Sequence, residues 1–226
     1  VVLALVAATV ILSPTLVRVM DRKAGLPIAL ILAAAAVILG KEFPGIADGT
    51  PLEWEETWAR EILGEGSAVA FALRADGLSV FFALLALVIG AVVMTYSAAY
   101  LPKKQGNTSF YTIMTAFTLS VLLLVLANDT VLLFIGWELV SIASFLLIAR
   151  SGSGGEAGSY RTLILTFFGG LTLLAALAVA SISTGSTRLT DVLAADIWQE
   201  NPSLTTTVAI LVAVSGFTKA AQFPFH

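Results

Sequence analysis

Seven stretches of this 226-residue sequence, at residues 1–20, 24–43, 77–101, 109–127, 129–149, 160–183 and 204–226, are apolar for long enough to cross about 30 Å of hydrocarbon. No other feature limits the fold so strongly. Inside a bilayer the backbone N–H and C=O groups have no water to bond, so a spanning segment forms a helix or joins a closed barrel. Unbroken apolar runs of about 20 residues, in place of short alternating ones, select the helix. Composition agrees: 58% of residues are hydrophobic and 12% charged, where soluble domains carry about 25% charge. Mean hydropathy is +0.96. The expected fold class is an all-α polytopic membrane protein with the lipid bilayer as its solvent. Of the seven runs the second is the weakest, because its cleanly apolar part extends only from Leu26 to Leu39.

Several functions are excluded early. The chain has no cysteine, which removes disulfides, iron–sulfur clusters and thiolate zinc sites. One histidine rules out bis-histidine haem ligation, and a net charge of −3 gives no basic surface for nucleic acid. No cofactor or metal set is assigned. Val1 opens inside an apolar run without a starting methionine, and the last residues lie in a helical pattern with no polar exit, so the chain is expected to belong to a longer protein. Residues 1–20 do not read as a signal peptide, because Arg18, Arg22 and Lys23 follow the apolar run.

The organisation follows the runs. Residues 1–43 hold the first two transmembrane helices, and residues 44–76 form a polar extracytoplasmic loop with Trp54, Trp58 and seven of the 15 acidic residues. Its end, over 68–77, alternates like a strand and suggests a short hairpin. Residues 77–226 hold helices three to seven. The 151–159 loop is rich in Gly and Ser, and 187–197 reads as a short amphipathic surface helix. With the N-terminus outside, the inner loops contain Arg18, Arg22, Lys23, Lys103, Lys104, Arg150 and Arg161, against Lys41, Arg60, Arg74 and Arg188 outside. That asymmetry fits the positive-inside rule.

Two charges remain within the spans, Glu138 and Lys219. A charge at the bilayer centre costs about 2.5–3.5 kcal/mol on the insertion scale, so it is retained where it works or is paired. Both helices run from outside to inside, which lets the two groups share a depth. On the last span Ser215, Lys219, Gln222 and His226 recur at helical spacing, with Thr218 between them. On the fifth, Glu138 shares its face with Ser141, and Ser144 lies close. The fourth span adds Thr112, Thr115 and Thr118. Pro224 breaks the last helix and frees a carbonyl. Hydroxyl, amide, ammonium and imidazole groups in one row suit a hydrated proton path, with His226 as a candidate relay. The competing reading is a structural ion pair with hydroxyls gluing helices together. The tryptophans read as interfacial belt residues.

At these two helices the sequence resembles a known family. The run from Gly136 through Trp137-Glu138-Leu139-Val140-Ser141 to Ile148 is similar to the fifth-helix motif of antiporter-like subunits. Phe217-Thr218-Lys219-Ala220-Ala221-Gln222-Phe223-Pro224-Phe225-His226 is similar to their seventh-helix motif, and Ala75-Asp76-Gly77-Leu78-Ser79 to the entry of their third. Such subunits occur in Mrp-type multisubunit Na⁺/H⁺ antiporters and in the membrane arm of respiratory complex I, and the motifs here lean toward the large A subunit of the former. The resemblance implies a broken seventh helix, inverted repeats, partner membrane subunits, Na⁺ and H⁺ as transported ions, and a bacterial cell membrane. It also implies that Glu138 and Lys219 are the key ionisable pair, in a transporter subunit rather than an enzyme. Ala220 departs from the serine common in relatives. A proton-pumping subunit of a complex I-like oxidoreductase or membrane-bound hydrogenase is the alternative, since closely related helices serve both.

Overall fold

Helix follows the apolar runs. The computed structural model describes residues 1–60, 68–103, 107–152 and 155–225. Helices α1 (Val2–Met20) and α2 (Gly25–Ala47) are joined by a 3-10 turn, Asp21–Ala24. Strands β1 (Leu52–Arg60) and β2 (Ala68–Ala75) pair as a two-stranded sheet. Then come α3 (Gly77–Tyr100), α4 (Asn107–Leu126), α5 (Thr130–Ala149), α6 (Gly155–Thr184), the short α7 (Leu189–Ala194) and α8 (Ile197–Glu200), and α9 (Pro202–Lys219). Among the described residues, five segments are long and apolar enough to cross a membrane, the first of them holding both α1 and α2.

The chain divides into two compact units, residues 1–52 with 74–126 and residues 53–73 with 127–226. The first is built from α1 to α4 around large buried side chains, among them Ile28, Leu32, Leu87, Met94, Tyr111 and Leu122. Its buried hydroxyls bond mostly to carbonyls of their own helix, as Thr9 does to Leu5 O and Thr115 to Tyr111 O. Back-bonding of this kind keeps a hydroxyl satisfied where water is absent. The second unit, formed by α5 to α9 and most of the sheet, has a different interior. Alanines 143, 176 and 180 are buried there with Ser141, Ser181, Ser215 and Thr218. Its head is pinned by backbone bonds from Asn128 N to Ala72 O and from Thr130 N to Thr187 O, both 2.8 Å. Arg188 pairs with Glu53 and Glu55 of β1 at 3.4 and 3.0 Å.

Three expectations need correction. The last helix does not reach 226: α9 stops at Lys219 and is not among the five long apolar segments. Its first turns carry Thr205, Thr206 and Thr207, and its end is closed by a C-capping turn in which Gln222 N donates to Phe217 O and Ala221 N to Thr218 O. Ala221 takes the left-handed position, φ 49°, usually left to glycine. The break therefore falls before Pro224, consistent with the exclusion of the residue ahead of a proline from helix. The surface segment at 187–197 is two short helices, because Ala195 is extended between them and Trp198 Nε1 folds back to Val192 O at 2.6 Å. Finally, α6 starts at Gly155, well ahead of the expected 160.

The entry to α3 shows how a helix starts at a polar boundary. Asp76 caps it: Oδ1 accepts from Ser79 N at 2.9 Å, and Asp76 N donates to Ser79 Oγ at 2.8 Å. That backbone hydrogen bond is the main reason the Asp76 carboxyl titrates below its ordinary value, with the Ser79 hydroxyl and Arg74 adding to it against some burial. A depressed carboxyl contributes stability above its unfolded value and loses it as pH falls through the folded one. Asp76→Ala should cost about 1 kcal/mol at neutral pH. In thermal unfolding of the detergent-solubilised protein, its gap to wild type should close as pH drops below the ordinary value of 3.8. A gap independent of pH would show that the charge plays no part in the cap.

Candidate functional site

Glu138 and Lys219 both belong to the second unit. Asp129 starts α5 by accepting from Val131 N and Leu132 N at 2.9 and 3.2 Å, and Glu138 follows two turns later. Asn201 starts α9 by accepting from Leu204 N at 3.1 Å, and Lys219 is its last helical residue. The ammonium does not close on the carboxylate. Lys219 Nζ donates to Ser141 Oγ at 2.6 Å and to Trp137 O at 3.3 Å, and lies 5.0 Å from the centre of the Trp137 ring. Ser141 Oγ in turn donates to Trp137 O at 3.0 Å. The lysine thus rests in a three-part cradle on α5, made of a hydroxyl, a carbonyl and an aromatic face. A cation over an indole face gains about 0.5–2 kcal/mol.

Glu138 remains within electrostatic reach of Lys219, but no ion pair joins them among the described residues. Its Oε1 is buried without a hydrogen-bond partner. The carboxylate packs on α6 at Gly170, where an added Cβ would lie 3.0 Å from Glu138 Cδ and closer still to Oε1. Beside it, Gly169 receives Thr218 of α9, whose Oγ1 donates to Ser215 O at 2.7 Å. Ser215 is fully buried, and its Oγ has no partner. Neither has Trp137 Nε1. Of four such orphaned atoms among the described residues, three come from Trp137, Glu138 and Ser215. A buried unpaired polar group costs about 1–3 kcal/mol, so these three on α5 and α9 mark a place where stability has been given up.

The structure therefore brings together Glu138, Lys219, Ser141, Ser215 and Thr218. Other expected residues lie elsewhere. Ser144 is half-buried and donates to Val140 O in its own helix at 2.8 Å. Gln222 is exposed in the turn after α9, because the helix ends before it, and Pro224 is exposed beyond it. His226 lies outside the described residues. Thr115 and Thr118 bond to their own helix in the first unit, and Thr112 pairs with Ser13 at 2.8 Å. Two features escape a reading of the sequence. Trp137 is part of the lysine cradle, and the Gly169–Gly170 pair seats both a threonine and the glutamate. A signal for the glycines is present: each costs a helix about 1 kcal/mol against alanine, so two adjacent ones inside α6 ask for a close neighbour.

Comparisons with known proteins bear on the family and the fold. Residues 127–226 match a family model described as "NADH:quinone oxidoreductase/Mrp antiporter, TM". Residues 63–111 match one described as "NADH-Ubiquinone oxidoreductase (complex I), chain 5 N-terminus". Across 98% of its length the chain is 34% identical to "Putative antiporter subunit mnhA2" of Staphylococcus saprophyticus. It is 39% identical over 157 residues to the protein of the same name in Staphylococcus aureus. It spans 28% and 20% of those relatives. Among solved structures, the Mrp complex from Dietzia sp. DQ12-45-1b matches with a TM-score of 0.89 and 38% identity over 99% of this chain and 24% of that one. Respiratory complex I from Thermus thermophilus shares the fold, with a TM-score of 0.72 and 23% identity over 100% of this chain and 45% of that one.

The cradle separates two serines that look alike in sequence. Ser141→Ala removes an acceptor from a charged donor and should lower the thermal stability of the purified protein by about 1.5–3 kcal/mol. Ser144→Ala removes only a bond to its own helix backbone, and should cost under about 1 kcal/mol. Equal losses would show that Ser141 does not hold the lysine.

Proposed function

This chain belongs to the family of antiporter-like membrane proteins that includes the large subunit of Mrp-type antiporters and its complex I relatives, and from that premise we propose that it forms part of the ion-translocating subunit of a multisubunit Na⁺/H⁺ antiporter in which Glu138 and Lys219 carry a proton step. The observation that carries the proposal is the open pair: an ammonium bonded to Ser141 and Trp137, beside a carboxylate whose buried oxygen has no partner. A purely structural ion pair would be closed, since an uncompensated buried charge is strongly destabilising.

The chemistry follows from position. Burial favours the neutral form of a lysine, and a nearby carboxylate favours its charged form. The side chain of Lys219 can exchange its Ser141 contact for one with Glu138, and that movement alone changes its affinity for a proton. Loading from one side and release toward the other then need no cofactor, only a coupled cation step and an ion gradient. The partners would be other membrane subunits of the complex. A complex I-like setting is the second reading, and it rests on fold alone; identities of 34–39% to proteins named as antiporter subunits favour the first.

Lys219→Arg tests the proton step, because arginine keeps the charge and does not deprotonate in proteins. Na⁺-dependent collapse of ΔpH in inverted vesicles, normalised to assembled complex, should fall by about a hundredfold or more, the lower range of proton-transfer contributions. The double variant Glu138→Gln with Lys219→Met should assemble and remain inactive. Substantial transport by either would refute the relay. Orientation has its own test. A cysteine at the exposed Ser151 in this cysteine-free chain should react with an impermeant maleimide only after the membranes are opened. Labelling in intact cells would place that loop outside.

A further inference from the structure

Gly170 has a role in the site that no feature of Glu138 or Lys219 reveals. Helix α6 is 30 residues long, with Gly169 and Gly170 adjacent and both buried in its interior. They serve different neighbours: Gly169 faces Thr218 of α9, and Gly170 faces the carboxylate of Glu138 on α5. A methyl group at 170 would overlap Oε1, so the observed position of that oxygen exists only because this residue has no side chain. Lys219 meanwhile bonds to Ser141 and Trp137. The two charges are held apart from both sides, the lysine by its cradle and the glutamate by the recess in α6.

We infer that Gly170 is a positioning residue: its recess stores the Glu138 carboxylate against α6 and keeps the pair with Lys219 open. The inference rests on the proposed proton step for its consequence, and on packing alone for its geometry. Filling the recess forces the carboxylate out of it and changes the resting state of the pair. Transport then slows even though every ionisable group is still present. The effect runs through Glu138 and not through helix packing in general, which makes it separable. Aspartate is one methylene shorter, which draws its carboxylate back from Gly170.

The experiment compares Gly170→Ala, Gly169→Ala and Glu138→Asp, alone and combined, in the assembled complex. Displacing the carboxylate from its recess changes the resting state of the pair, so Gly170→Ala should slow Na⁺-dependent ΔpH collapse by about tenfold or more. Adding Glu138→Asp should relieve that loss relative to Glu138→Asp alone, and should not relieve Gly169→Ala, whose added methyl meets Thr218. A second measurement does not depend on transport. The rate at which a lipophilic carbodiimide labels Glu138, read by mass spectrometry, should change by about tenfold in Gly170→Ala and little in Gly169→Ala. Unchanged labelling overturns the inference whatever the transport result. Changed labelling with transport unaffected supports the recess and refutes the proton step instead. Should Gly170→Ala fail to accumulate, recovery of assembled complex in the double variant with Glu138→Asp supports the same contact, and failure to recover overturns it.

Discussion

A bilayer core offers no hydrogen-bond partner to a carbonyl, a hydroxyl or an ammonium, and the structure depends on how its polar groups meet that shortage. The backbone meets it with long helices. Most hydroxyls at depth meet it by bonding to the carbonyl one turn back, as Thr9, Ser97, Thr115 and Ser120 do. Lys219 meets it with Ser141 and the carbonyl and ring of Trp137. Glu138 Oε1, Ser215 Oγ and Trp137 Nε1 do not meet it at all. That exception marks the site more sharply than the charges themselves, because an ion pair by itself is compatible with a structural role.

The two units are packed with different residues. In the first, Ile28, Leu32, Leu87, Met94 and Leu122 interlock around Tyr111, whose hydroxyl donates to Arg22 O at 2.6 Å. Large, well-filled side chains of this kind hold one arrangement. In the second, glycine, alanine and hydroxyl residues let helices approach closely, as small residues do in membrane proteins generally. Close approach to α6 seats Thr218 of α9 at Gly169 and gives Glu138 of α5 its recess at Gly170.

Mrp antiporters and complex I both occur among the relatives, and the fold is shared with each. The proposed proton step rests on the geometry of Glu138, Lys219 and their cradle, whereas the choice between the two settings rests on sequence identity.

The sequence by itself determined what depends on local composition. Uncharged apolar runs required helices, the Ala75–Ser79 run resembled the entry to a third helix, and subtraction of loop charges left Glu138 and Lys219 as the groups to explain. Period and spacing put Ser215 and Lys219 on one face, because both lie within one regular helix. The same logic failed at Gln222, since the spacing holds only while the helix continues. No glycine announced its end, which rests on Ala221 in a left-handed conformation. Tertiary structure alone decided the rest. That the lysine binds Ser141 and Trp137 while the carboxylate turns to Gly170 depends on three helices meeting, and such contacts join residues 32 to 82 positions apart. No local pattern encodes them, because the choice among partners is made by the space that neighbouring helices leave.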